Sequence, residues 1–125
     1  MGDKWKNKNF FEASKNAFNG IKFVIKDARN IKIQFVFAVM VVIASIILKV
    51  SIVEAAILAL TIFAVFAFEF INTAIEKAVD LYTLEYNEIA KIVKDVSAAA
   101  VVMMCIGAAL VGIIIFLPKI LIYVG

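Results

Sequence analysis

Histidine is absent from this 125-residue chain, and cysteine, proline and tryptophan occur once each. Without histidine, imidazole acid/base chemistry, Ser-His triads and histidine metal ligation are excluded. The lone Cys105 lies in an apolar run and supports neither a disulfide nor a zinc site, which leaves it a small packing residue. A single proline, Pro118, leaves long helical patterns uninterrupted. The five glycines form neither a G-x-x-x-x-G-K-[ST] loop nor a kinase glycine-rich loop, so any nucleotide must be held in another way. There is no internal repeat and no low-complexity stretch, and the first 30 residues do not read as a cleavable signal peptide.

Apolar residues are what the chain has in excess. They make up 65% of it, where soluble proteins average about 45–50%, and mean hydropathy is +1.03. The runs Ile33–Leu48, Ile52–Phe68 and Ala98–Leu117 each approach the length of a bilayer core. We read an all-α membrane protein forming a single domain over 1–125. It has an N-terminal arm and surface helix (1–30), a first span (31–49) and a second span with a cytoplasmic extension (52–84). A cytoplasmic lead-in and third span (88–118) complete it. Val50-Ser51 leaves almost no loop, so the first two spans form a tight hairpin.

Eight of the thirteen basic residues, Lys4, Lys6, Lys8, Lys15, Lys22, Lys26, Arg29 and Lys32, lie in the first 32 residues. The positive-inside rule then places the N-terminus and the second loop in the cytoplasm. In the arm, Phe11, Phe18, Ile21 and Ile25 oppose a basic stripe, the pattern of a helix lying on an anionic membrane surface. No groove of basic and stacking aromatic residues accompanies it, so no nucleic-acid partner is expected.

Glu69, Asn72, Glu76 and Asp80 follow the second apolar run at spacings of three, four and four. At about 100° per residue they share one helix face within about 80°. An acid at the centre of a membrane helix costs roughly 2.5–3.5 kcal/mol, less toward the interface, so such a stripe points to a site. Glu76 and Asp80, one turn apart, suit a hard cation such as Mg2+. Glu69, flanked by Phe68 and Phe70, suits a general base on an alcohol, and Lys94 suits phosphate oxygens. These are the parts of phosphoryl transfer. Three spans and a surface helix cannot enclose such a cleft, which predicts a homo-oligomer with sites between subunits.

The run Glu69-Phe70-Ile71-Asn72-Thr73-Ala74-Ile75-Glu76 with Asp80, then Ala90-Lys91, Lys94-Asp95 and Ala98-Ala99-Ala100-Val101, resembles the signature of the small bacterial integral-membrane diacylglycerol/undecaprenol kinases. The resemblance extends to Phe116-Leu117-Pro118-Lys119. It implies a homotrimeric ATP-dependent kinase of the bacterial cytoplasmic membrane that phosphorylates a lipid alcohol. By position, Glu69 looks like the catalytic base and Glu76 like the Mg2+ ligand, with Asn72 and Asp80 in support. Lys94, Asp95 and the stretch Glu85-Tyr86-Asn87 look like nucleotide contacts. The Asn-Thr-Ala-Ile-Glu wording resembles the Gram-positive branch, which implies undecaprenol as acceptor; the other branch takes diacylglycerol.

One position departs from the pattern. Family members usually carry a glutamate, a second metal ligand, just before Arg29-Asn30; here it is Ala28, with Asp27 one residue earlier. Adjacent helical residues point about 100° apart, so Asp27 is no equivalent. Two other readings stand beside the kinase: a small transporter using Glu69 as an intramembrane ion site, and a catalytically silent copy, supported by Ala28 alone.

Overall fold

The computed structural model describes residues 5–125; the first four residues of the basic arm lie outside them. Four helices follow one another: α1 (Phe10–Asp27), α2 (Ile31–Ile47), α3 (Ile52–Tyr82) and α4 (Glu88–Val124). No strand occurs among the described residues.

The chain's punctuation residues set the boundaries. Asn9 caps α1, its side chain accepting from the Glu12 N–H at 2.8 Å. Across Ala28–Asn30 the chain turns, and α1 and α2 meet at 102°. After α2, Lys49 takes a left-handed conformation (φ 53°), and the Val50 N–H reaches back to the Ser45 carbonyl at 3.2 Å. This is a Schellman ending made without glycine. Ser51 and Glu54 then form a reciprocal capping box that starts α3. At the opposite end, Thr83 is extended and Asn87 caps α4 by accepting from the Ala90 N–H at 3.0 Å.

Helix ends differ from the sequence reading by a few residues. The first apolar helix stops at Ile47 rather than 49 because Lys49 leaves the helical region. The second stops at Tyr82 rather than 84, where Thr83 extends. The last continues to Val124 rather than stopping at Pro118. Proline removes one helical N–H, a loss that membrane helices tolerate.

By length and apolar content α3 and α4 are fit to cross a membrane, and the bent α1–α2 pair supplies a third candidate if taken as one span. The structure therefore carries two to three candidates where three spans were expected. α2, with 17 residues, is about 25 Å long, against about 30 Å for a hydrocarbon core.

α3 packs mainly on α4 and more thinly on α2, which also meets α1. The interior is small and unusually polar: Val24, Ile31, Leu58, Val101 and Ile115 are buried, but so are Glu69, Asn72, Thr73 and Ser97. Most large apolar side chains point outward, among them Phe11, Phe37, Leu60, Phe63 and Ile114. Such a surface belongs against lipid or another subunit, not water. Lys119 joins Glu54 at 3.0 Å, tying the far end of α4 to the first turn of α3.

Candidate active site

α3 is 31 residues long, about 46 Å, some ten residues more than a hydrocarbon core of about 30 Å requires. Glu69 follows its apolar run and is only 4% exposed. A carboxyl at that depth needs a partner, and α2 supplies one: Gln34 Nε2 donates to Glu69 Oε2 at 3.2 Å. The Thr73 hydroxyl folds back onto the Glu69 carbonyl at 3.0 Å, which satisfies it within α3.

One turn on, Asn72 links two helices. Its Nδ2 donates to Glu76 Oε1 at 3.3 Å, and its Oδ1 lies 2.7 Å from the Ser97 hydroxyl of α4. Ser97 Oγ is also 3.0 Å from the Lys94 carbonyl, so its single proton serves two acceptors. Lys94 Nζ crosses back to α3 and donates to Asp80 Oδ1 at 2.8 Å. Asp80 lies beyond the apolar run of α3, and the hydrogen bond from Lys94 holds its carboxyl below the usual aspartate range despite partial desolvation.

Glu69, Asn72, Glu76, Asp80 and Lys94 thus lie along one seam closed by α2 and α4. The other expected site residues are placed differently. Asp95 pairs along α4 with Lys91 at 2.8 Å, both exposed, and that bond raises the Lys91 ammonium above its ordinary range. Glu85 and Tyr86 lie exposed in the α3–α4 loop, the Glu85 N–H donating to Thr83 Oγ1 at 3.1 Å. Asn87 is committed to capping α4 and lines a shallow groove with Ile75, Val79 and Tyr82. Asp27 pairs with Lys77 at 3.3 Å, and Ala28 ends α1 in extended backbone.

Gln34 and Ser97 belong to the seam without having been expected there. A lone amide four residues into an apolar helix is the signal that marks Gln34. Ser97 carries no such mark, because its neighbours Ala98–Ala100 are equally small.

An apolar groove of about 560 Å³ opens between α2 and α3, lined by Phe35, Val39, Val42, Leu58, Ile62 and Phe66 among others. Phe35 follows Gln34, and Phe66 precedes Glu69 by about one turn. One end of the groove therefore lies near the buried carboxyl, while Glu76, Asp80 and Lys94 lie on its other side along α3 and α4.

The family model for prokaryotic diacylglycerol kinase matches residues 15–116. The chain belongs to the prokaryotic diacylglycerol kinase family. This family membership covers the whole seam, from Gln34 through Ser97. An undecaprenol kinase of Bacillus subtilis is 36% identical over 110 residues, 88% of this chain and 89% of that protein. A diacylglycerol kinase of Synechocystis sp. is 36% identical over 114 residues, 90% of this chain but only 65% of the relative's length. Both relatives are lipid kinases by name, and the chain is a lipid kinase of this family.

No group of three or more Asp, Glu or Cys side chains fit to hold a metal occurs among the described residues. The donors present fit a different mode. Magnesium is commonly held by one or two carboxylates, with phosphates and waters completing its shell. Glu76 has only Asn72 as a hydrogen-bond partner among the described residues, on Oε1, whereas Asp80 and Asp27 are each occupied by a lysine.

Proposed function

We propose that this kinase transfers the γ-phosphoryl group of ATP to the hydroxyl of a membrane lipid alcohol, undecaprenol first, at the cytoplasmic face of a bacterial membrane. The observation that carries this reading is the position of Glu69, buried between an apolar groove and a polar seam.

The alcohol lies with its chain in the α2–α3 groove and its hydroxyl at Glu69. The Glu69 carboxylate accepts the hydroxyl proton as the oxygen attacks the γ-phosphorus. The bond from that phosphorus to the bridging oxygen breaks and ADP leaves, so charge and atoms balance. Lys94 meets the developing charge on phosphate oxygens, and Asp80 aims it from 2.8 Å. Asn72 orients Glu76, which would hold Mg2+; the ion, when bound, draws charge from the phosphates. Asp95, Glu85, Tyr86 and Asn87 serve the nucleotide from the water side.

Three spans, with α1 along the surface, and a homotrimer with sites shared between subunits fit the outward-facing apolar side chains. The exposed Phe11 and Phe18 of α1, set against its lysines, suit the membrane surface. The basic N-terminal region supports a cytoplasmic position for this face.

Undecaprenol is preferred because the undecaprenol kinase relative matches over 89% of its length and the diacylglycerol kinase relative over 65%. The test is a side-by-side turnover assay of the purified protein with Mg-ATP and each lipid. Faster product from undecaprenol supports the assignment, the reverse order assigns diacylglycerol, and no lipid phosphate from either overturns the kinase chemistry.

A further inference from the structure

Gln34 does more at Glu69 than a single hydrogen bond requires. Its Nε2 holds Glu69 Oε2, while its Oε1 is buried and has no hydrogen-bond partner among the described residues. A buried amide carbonyl left without a donor is uncommon in folded proteins and asks what donor is meant for it. An ionised carboxylate offers none, because it only accepts. A protonated carboxyl offers one O–H, and an acid facing a primary amide edge to edge makes two bonds at once, amide N–H to acid oxygen and acid O–H to amide oxygen.

We propose that Gln34 is a positioning residue for Glu69 that serves both of its protonation states. It steers the carboxylate through Nε2 before the reaction. When Glu69 has taken the alcohol's proton, the new O–H turns to Gln34 Oε1. The inference rests on the general-base reading of Glu69. The remaining titratable groups around Glu69 are accounted for elsewhere. On α3, Glu76 is held by Asn72 and Lys77 by Asp27 of α1, and on α4, Lys94 is held by Asp80. Cys105 of α4 is the other group close enough to sense the Glu69 charge. α2 adds Lys32, which is exposed.

The test is the pH profile of kcat for the full chain in vesicles, with Gln34→Leu, Gln34→Glu and Glu69→Gln side by side. For Gln34→Leu, kcat is expected to fall on the order of tenfold or more, as a mispositioned base does, with KM for ATP and lipid unchanged within about twofold. Gln34→Glu is nearly isosteric and sets a second carboxyl against Glu69, so the acid limb is expected to move up by about one pH unit or more. A limb that stays in place for Gln34→Glu, or a wild-type kcat for Gln34→Leu, overturns the proposal. Should Gln34→Leu fail to fold, the Gln34→Glu limb decides alone. Turnover retained by Glu69→Gln defeats the base reading itself, a result separate from either outcome at Gln34.

Discussion

Lys77 Nζ stands 3.3 Å from Asp27 Oδ2, joining the last residue of α1 to the turn of α3 just past Glu76. The same ammonium lies 5.7 Å from the centre of the Phe23 ring, within cation–π range. Asp27 thus faces Lys77 across a half-exposed ion pair.

This relationship has a direct consequence for magnesium. Ala28→Glu is expected to lower the Mg2+ concentration for half-maximal turnover several-fold, whereas Asp27→Asn leaves it within about twofold, since a half-exposed ion pair contributes little. Mg2+ titrations of turnover for the two variants check this. A large loss with Asp27→Asn alone would assign the ligand role to Asp27 after all.

Ser97→Ala leaves the buried Asn72 Oδ1 without its donor. An unsatisfied buried acceptor costs about 1–3 kcal/mol. The variant is expected to melt at a lower temperature and to turn over more slowly, because Asn72 no longer holds Glu76 in place. Thermal unfolding and initial rates measured on one preparation separate the two effects.

Asp80→Asn frees Lys94 from its 2.8 Å partner. KM for ATP is expected to rise several-fold, with a smaller change in kcat. The pH dependence follows from the sign of the shift. A carboxyl whose folded value is depressed stabilises above its unfolded value and loses that contribution only as pH falls through the depressed one. The Lys94–Asp80 pair is therefore intact at neutral pH and is lost only below the ordinary aspartate value. An acid limb of activity above that value must come from another group, and Asp80→Asn is expected to leave such a limb where it was.

Ser51→Ala removes half of the capping box that starts α3. About 1 kcal/mol of stability is expected to go with it, and turnover is expected to hold, because Ser51 lies at the opposite end of α3 from Glu69. Chemical denaturation in mild detergent measures the first, the lipid kinase assay the second.

The stripe from Glu69 to Asp80 was legible in the sequence because it is local: helical period alone puts these residues on one face. The hairpin at Val50-Ser51 was legible for the same reason, through its short polar break. Gln34 was not, since its contact with Glu69 spans 35 residues of sequence and depends on how α2 leans on α3. Lys94 read as a phosphate contact, yet its meeting with Asp80 depends on the α3–α4 packing and so stayed invisible. The first apolar helix reads as running to 49 because apolar content continues through Leu48, while the left-handed Lys49 ends it at Ile47. Asp95 read as a nucleotide contact with Lys94; its pairing with Lys91 one turn back on α4 follows from the divergence of adjacent helical positions by about 100°.

Glu69→Gln tests the central claim most directly, by measuring lipid phosphorylation and ATP binding on the same purified variant. Turnover is expected to fall at least about 100-fold, the lower range for losing a general base, with ATP affinity unchanged within about twofold. A variant that phosphorylates lipid at the wild-type rate would show that the buried carboxyl takes no proton from the alcohol.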